Sequence, residues 1–174
     1  SALVAIHPDS ERLEELDQAR RERDLSADEY DELMSINESS LVHRDIKPHN
    51  IMLTRAGAKV LDFNIASRVG DPVRTVSGTP PYQPPDADLT QWDVSTDLFA
   101  VGVTLYELLC DGEHPYPEGT PALDVAPRNP REFRRDLDPA LSRFLLKACA
   151  NNREERFATA AQMQAALRAI RTTQ

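Results

Sequence analysis

The chain has 174 residues, 40% of them hydrophobic and 28% charged, with a formal net charge of −9. That length supports one domain with a real core, the composition excludes wholesale disorder, and the acidic balance argues against DNA or an anionic membrane as the main partner. No apolar run approaches a membrane span and the amino terminus lacks a signal-peptide pattern, so the expectation is a cytoplasmic protein with no nucleic-acid or membrane partner.

In chain order, "SALVAI" at residues 1–6 reads as a short strand. Asp9 or Ser10 caps a first helix with Leu13, Leu16 and Ala19 on one face. Ser26-Ala27-Asp28-Glu29 reads as a capping box for a second helix, with Tyr30, Leu33 and Ile36 spaced three apart. The mixed charges of residues 9–36 form a solvated face. After a polar loop at 43–50, Ile51-Met52-Leu53 and Lys59-Val60-Leu61 are short apolar runs joined by Arg55-Ala56-Gly57-Ala58, a predicted hairpin. Residues 64–92, punctuated by Pro72, Pro80, Pro81, Pro84 and Pro85, are loop-like. Residues 95–110 are apolar on every side, which predicts a helix buried at the centre of the domain. A proline-rich stretch runs from Pro115 to Pro139, and two amphipathic helices near 139–150 and 159–171 close the chain. Cys110 and Cys149 lie inside apolar stretches and read as buried free thiols. The fold class is mainly α with a little β.

Chemistry concentrates in His43-Arg44-Asp45-Ile46-Lys47-Pro48-His49-Asn50. A carboxylate, a cation and a neutral amide this close together suit phosphoryl transfer, in which positioning and charge neutralisation dominate. Asp62-Phe63-Asn64 follows. This order resembles the catalytic half of a eukaryotic-type Ser/Thr protein kinase, whose motifs are H-R-D-L-x-x-x-N and then D-F-G. "SGTPPYQPPD" (77–86) is similar to the end of an activation segment, with Pro84-Pro85-Asp86 in place of A-P-E. "STDLFAVG" (95–102) is similar to the start of the long buried kinase helix, and "NREERF" places Arg156 at the late arginine of that fold.

The resemblance implies a kinase-like large lobe over 26–174, a helical bundle around a buried central helix with a β-hairpin carrying the catalytic elements. Its parts would be a catalytic loop (43–50), a metal-binding Asp-Phe-Asn (62–64), an activation segment (62–86), a central helix (95–110) and closing helices (139–171). Residues 1–25 would be a remnant of the hinge region and the helix after it. Asp45 would orient a substrate hydroxyl, Lys47 would neutralise the migrating phosphoryl group, Asn50 and Asp62 would hold magnesium, and Met52 would contact ATP. His43 and Phe63 would pack beneath the site, anchored by Asp97. Arg44 would offer a bidentate partner to an activation-segment phosphate on Thr75 or Ser77. Thr79 would hydrogen-bond Asp45 and Lys47. Asp86 and Arg156 would form a buried ion pair.

Departures are equally specific. Asn64 stands for the glycine of D-F-G, the next most tolerant side chain of positive φ. Asp86 is one methylene shorter than glutamate, and Ser40 stands where a glycine commonly precedes the loop. All six glycines follow the catalytic loop and the lysines are Lys47, Lys59 and Lys147, so these 174 residues contain neither a G-x-G-x-x-G cover nor the strand lysine. "LVAIH" (3–7) is superficially similar to V-A-I-K but carries His7. The expectation is a large lobe whose small lobe is cut away or supplied elsewhere, inactive by itself, with an exposed face that can self-associate. Seventeen arginines against three lysines give it a bacterial flavour. Two further readings are a pseudokinase-like binding module and a regulatory fragment competing for substrate. The four polar residues Asp45, Lys47, Asn50 and Asp62 favour the enzyme, with protein Ser or Thr as acceptor.

Overall fold

The long apolar run organises the molecule. A computed structural model describes residues 3, 7, 10–39, 41–63, 66–68, 78–87 and 93–170. Helix α1 spans Ser10–Glu22 and α2 spans Ala27–Ser39. Two-residue strand β1 (Leu41–Val42) pairs antiparallel with β4 (Ser67–Arg68), an element within the stretch expected to be all loop. Between them lies the hairpin of β2 (Ile51–Thr54) and β3 (Gly57–Val60), in register Ile51↔Val60 and Thr54↔Gly57. Central helix α3 is Val94–Leu109, followed by α4 (Pro130–Phe133), α5 (Pro139–Ala148) and α6 (Ala160–Ala169).

Helix starts follow local chemistry. Asp93, Asn129, Asp138 and Thr159 cap α3, α4, α5 and α6, each side chain accepting from backbone N–H groups of the first turn. Pro130 and Pro139 occupy first helical positions, where no hydrogen-bonding N–H is needed. At α2, Ser26 and Glu29 exchange the two bonds of a capping box, at 2.9 and 3.3 Å.

The core is built on α3. Leu98, Phe99, Val103 and Tyr106 are buried in it with Phe144, Leu145, Cys149 and Phe157. Gly102 lets α5 approach so closely that a Cβ there would lie 2.8 Å from the Cβ of Ala148. Tyr106 and Tyr116, both fully buried, bring their hydroxyls to the carbonyls of Arg128 and Cys149, at 2.9 and 2.7 Å. Both cysteines are free and buried, and burial pushes their thiols up in pKa.

Two local expectations need correction. Leu3 is helical rather than extended, and most of the "SALVAI" strand lies outside the described residues. Tyr30 is 55% exposed while Leu33 is buried, because α2 turns 100° per residue and a strict spacing of three drifts off one face. The proline-rich stretch includes α4, which Pro130 starts rather than interrupts.

Candidate active site

Four contacts shape the loop at 43–50. Its entry strand β1 is held by β4, and Pro48 begins a single turn of 3₁₀ helix, Pro48–Asn50. Beyond that turn the Leu61 N–H donates to the Asn50 carbonyl at 2.8 Å, and His43 Nε2 meets the Leu61 carbonyl at 2.9 Å. The start of the Asp62 segment is thereby fastened to both ends of the loop. Phe63 sets its ring edge-on to His43, with centroids 4.6 Å apart, although it remains 43% exposed.

Arg44 and Asp62 have φ of 72° and 62°, in the left-handed region that non-glycine residues avoid. Such a conformation costs on the order of 1–3 kcal/mol, so surrounding contacts must impose it. For Arg44 the constraint is Asp97. This carboxylate, 1% exposed in the first turn of α3, accepts the His43 N–H at 2.7 Å on one oxygen and the Arg44 N–H at 2.9 Å on the other. The Arg44 side chain is itself buried; desolvation pulls its pKa down, partly offset by the charge of Asp97.

The catalytic-type side chains meet at Asp45. Thr79 Oγ1 donates to Asp45 Oδ1 at 2.8 Å, and Asn50 Nδ2 donates to Oδ2 at 3.0 Å and to the Asp45 carbonyl at 2.8 Å. Lys47 Nζ lies 2.7 Å from Oδ2 and donates to Thr79 Oγ1 at 2.9 Å. Burial acts to raise the Asp45 carboxyl, but the hydrogen bonds from Lys47, Thr79 and Asn50 and the Lys47 charge outweigh it and hold the group below the usual aspartate range. Asp45 retains 16% side-chain exposure and Lys47 25%, so both side chains reach solvent. The arrangement is an ionised carboxylate with an ammonium beside it at a solvent-reachable point.

Thr79 comes from Pro80-rich sequence distant in the chain. It is positioned by the 3₁₀ turn Pro80–Tyr82, which His114 Nε2 braces through the Pro81 carbonyl at 2.9 Å and Tyr82 braces through its hydroxyl bond to Glu107 at 2.8 Å. Farther along, Asp86 pairs with Arg156 and also accepts the Arg153 N–H at 3.1 Å. Burial of that ion pair is one-sided. The Arg156 side chain is 1% exposed and lies over the Phe99 ring, whereas the shorter Asp86 is 24% exposed. Met52, on β2, is 48% exposed, and Leu53, Leu61 and Leu41 are exposed beside the same loop. Asn64, Thr75, Ser77 and Ser40 lie outside the described residues.

Among the described residues no cluster of three His, Cys, Asp or Glu side chains forms a metal cage. Asn50 and Asp62 are nevertheless hard oxygen donors of the kind magnesium takes in ones and twos. With Nδ2 of Asn50 committed to Asp45, its Oδ1 is the end left for a cation. Sequence reasoning overlooked two residues. His114 carries no motif signal; His7, whose Nε2 lies 3.1 Å from Asp97 Oδ2, is in the sequence only a poor match to V-A-I-K.

Residues 30–167 match the family model described as the protein kinase domain. The chain is 33% identical over 162 residues to serine/threonine-protein kinase PknB of Mycolicibacterium smegmatis, covering 85% of this chain and 26% of that protein. It is 34% identical over 163 residues to PknB of Mycobacterium tuberculosis, with 85% and 26% coverage. It therefore spans about a quarter of the length of these relatives. Among solved structures, the Cydia pomonella granulovirus kinase PK-1 shares the fold, with a TM-score of 0.62, 22% identity, and coverage of 76% of this chain and 52% of the viral one.

Proposed function

This chain belongs to the protein kinase domain family, and from that premise we propose that it is the large-lobe part of a bacterial-type serine/threonine kinase, transferring the γ-phosphoryl group of ATP to protein Ser or Thr hydroxyls. The observation that carries the reading is the Asp45 cluster, where a carboxylate held ionised sits 2.7 Å from an ammonium and is fixed by Thr79 and Asn50.

In this reading Asp45 accepts the hydrogen bond of the acceptor hydroxyl and aligns it for in-line attack, taking its proton as the new P–O bond forms and the bond from the γ-phosphorus to the bridging oxygen breaks, releasing ADP. Lys47 spreads positive charge toward the transferring group, and Thr79 keeps both side chains in place. Asn50 Oδ1 and the Asp62 carboxylate would hold magnesium, which neutralises phosphate charge. Met52 and neighbouring exposed apolar side chains of the hairpin form a surface on which ATP and a small lobe, in cis or trans, would rest. No G-x-G-x-x-G occurs in these 174 residues, so efficient transfer requires such a lobe.

The test is phosphoryl transfer to a Ser/Thr protein by the full-length protein. Asp45→Asn should lower kcat by about 10²–10⁴ with the fold retained. Asp62→Ala should abolish the magnesium-dependent rise in Tm with ATP. If the full-length protein shows neither autophosphorylation nor an ATP shift, a pseudokinase-like binding module is the better reading.

A further inference from the structure

Asp97 has a third partner besides the two loop amides. His7 lies 90 positions away in sequence, yet its Nε2 is 3.1 Å from Asp97 Oδ2, the oxygen that also accepts the His43 N–H. Both side chains are 1% exposed. A carboxylate only accepts, so the hydrogen between them sits on His7 Nε2 and the imidazole is the donor. Nδ1 of His7 is buried with no partner among the described residues, which leaves Asp97 as the polar contact that orients the ring. Leu3, four residues earlier, is buried in the core cluster with Leu98 and Phe99, and the His7 N–H donates to its carbonyl at 2.8 Å.

We propose that His7 is a positioning residue for the catalytic loop, acting through Asp97. This rests on the kinase reading for its consequence but not for its geometry. Asp97 can hold the left-handed Arg44 backbone only if its carboxylate plane stays fixed. The two amides bond one oxygen each, and the imidazole adds a further bond to Oδ2. A segment far from the loop in sequence thus sets the orientation of Asp45, one residue beyond Arg44. Donors converging on a buried carboxylate reinforce one another, whereas removing one loosens the rest.

Amide hydrogen exchange on the 174-residue chain tests this directly. His7→Leu should accelerate exchange of the His43 and Arg44 amides by about tenfold while the α5 amides around Leu145 keep their protection. His7→Gln, which retains a donor near the Nε2 position, should restore both amides; His7→Asn, too short, should not. In the full-length protein, His7→Leu should lower kcat with KM unchanged, and His7→Gln should recover it. Unchanged exchange at residues 43 and 44 in His7→Leu would overturn the proposal, as would uniform loss of protection throughout the core, or failure of Gln to rescue. An exchange effect in a full-length protein that transfers no phosphoryl group supports the anchor and refutes the kinase reading.

Discussion

Among the described side chains, helices α1 and α2 are joined mainly by charge at the surface, whereas α3 and α5 are joined by apolar contact. Arg12 forks onto Glu32 at 2.9 and 2.7 Å, and Arg23 onto Glu29 at 2.9 and 2.6 Å. The Arg23 hydrogen bond, helped by Ser26, holds the Glu29 carboxyl well below its usual range. All four side chains remain substantially wet, and among the described side chains Leu16 and Leu33 are the buried apolar residues of that pair of helices. The α3–α5 contact carries no ion pair among the described residues, yet it is dry and close enough that only glycine fits at 102. Ion pairs in water offset little more than the entropy of ordering their side chains, whereas removal of apolar area from water accumulates. Bond counts therefore rank the two regions in the wrong order.

Four experiments would sharpen or break that contrast. The largest effect is expected at the polar exception within the apolar region. Asp97→Ala orphans two loop N–H groups and His7, and should cost on the order of 4 kcal/mol in urea unfolding. Next, Leu145→Ala, at a fully buried α5 position, should cost about 2–5 kcal/mol with the m-value unchanged. Gly102→Ala drives a methyl into Ala148 and its backbone, and should cost about 1–3 kcal/mol. If it is silent, the close approach of α3 and α5 is wrong. At the small end, Arg12→Ala should leave Tm unchanged within error at physiological salt. A clear drop there would mean that the surface forks, not the apolar helix contact, set the stability.

A pH titration separates the regions in another way. The folded-state pKa of Asp45 is depressed, so the unfolded chain binds more protons in the acid range. Its contribution to stability is present above the ordinary aspartate value and is lost as pH falls through the depressed folded value. Asp45→Asn should flatten that part of the stability–pH curve, measured as Tm against pH, while Leu145→Ala shifts the whole curve downward without changing its slope.

Much of this was legible in the letters. The mostly apolar run at 95–110 called for a central helix, and α3 is the axis of the core, although Leu108 at its end is 66% exposed. Capping residues before proline, as at Asp138-Pro139, mark helix starts because the chemistry is confined to one turn. The spacing from Asp45 to Asn50 fits a loop that folds back on itself, and Asn50 does bond Asp45. What was illegible is what reaches across the chain. The family resemblance pairs Thr79 with Asp45 and Lys47, but nothing local to "SGTPPY" does so, since the 2.8 Å distance to Asp45 depends on braces from His114 and Glu107. The pairing of Ser67–Arg68 with Leu41–Val42 was missed because two-residue strands have no periodicity to detect.

Taken alone, the sequence determined the helical and hairpin segments, the buried central helix and the family, because propensity, apolar period and motif spacing act between near neighbours. Tertiary structure alone decided the distances at which donors converge on Asp45 and Asp97, and that His7 is among them. A hydrogen bond depends on distances of tenths of an ångström between groups up to 90 residues apart, and those distances are set by packing the whole core.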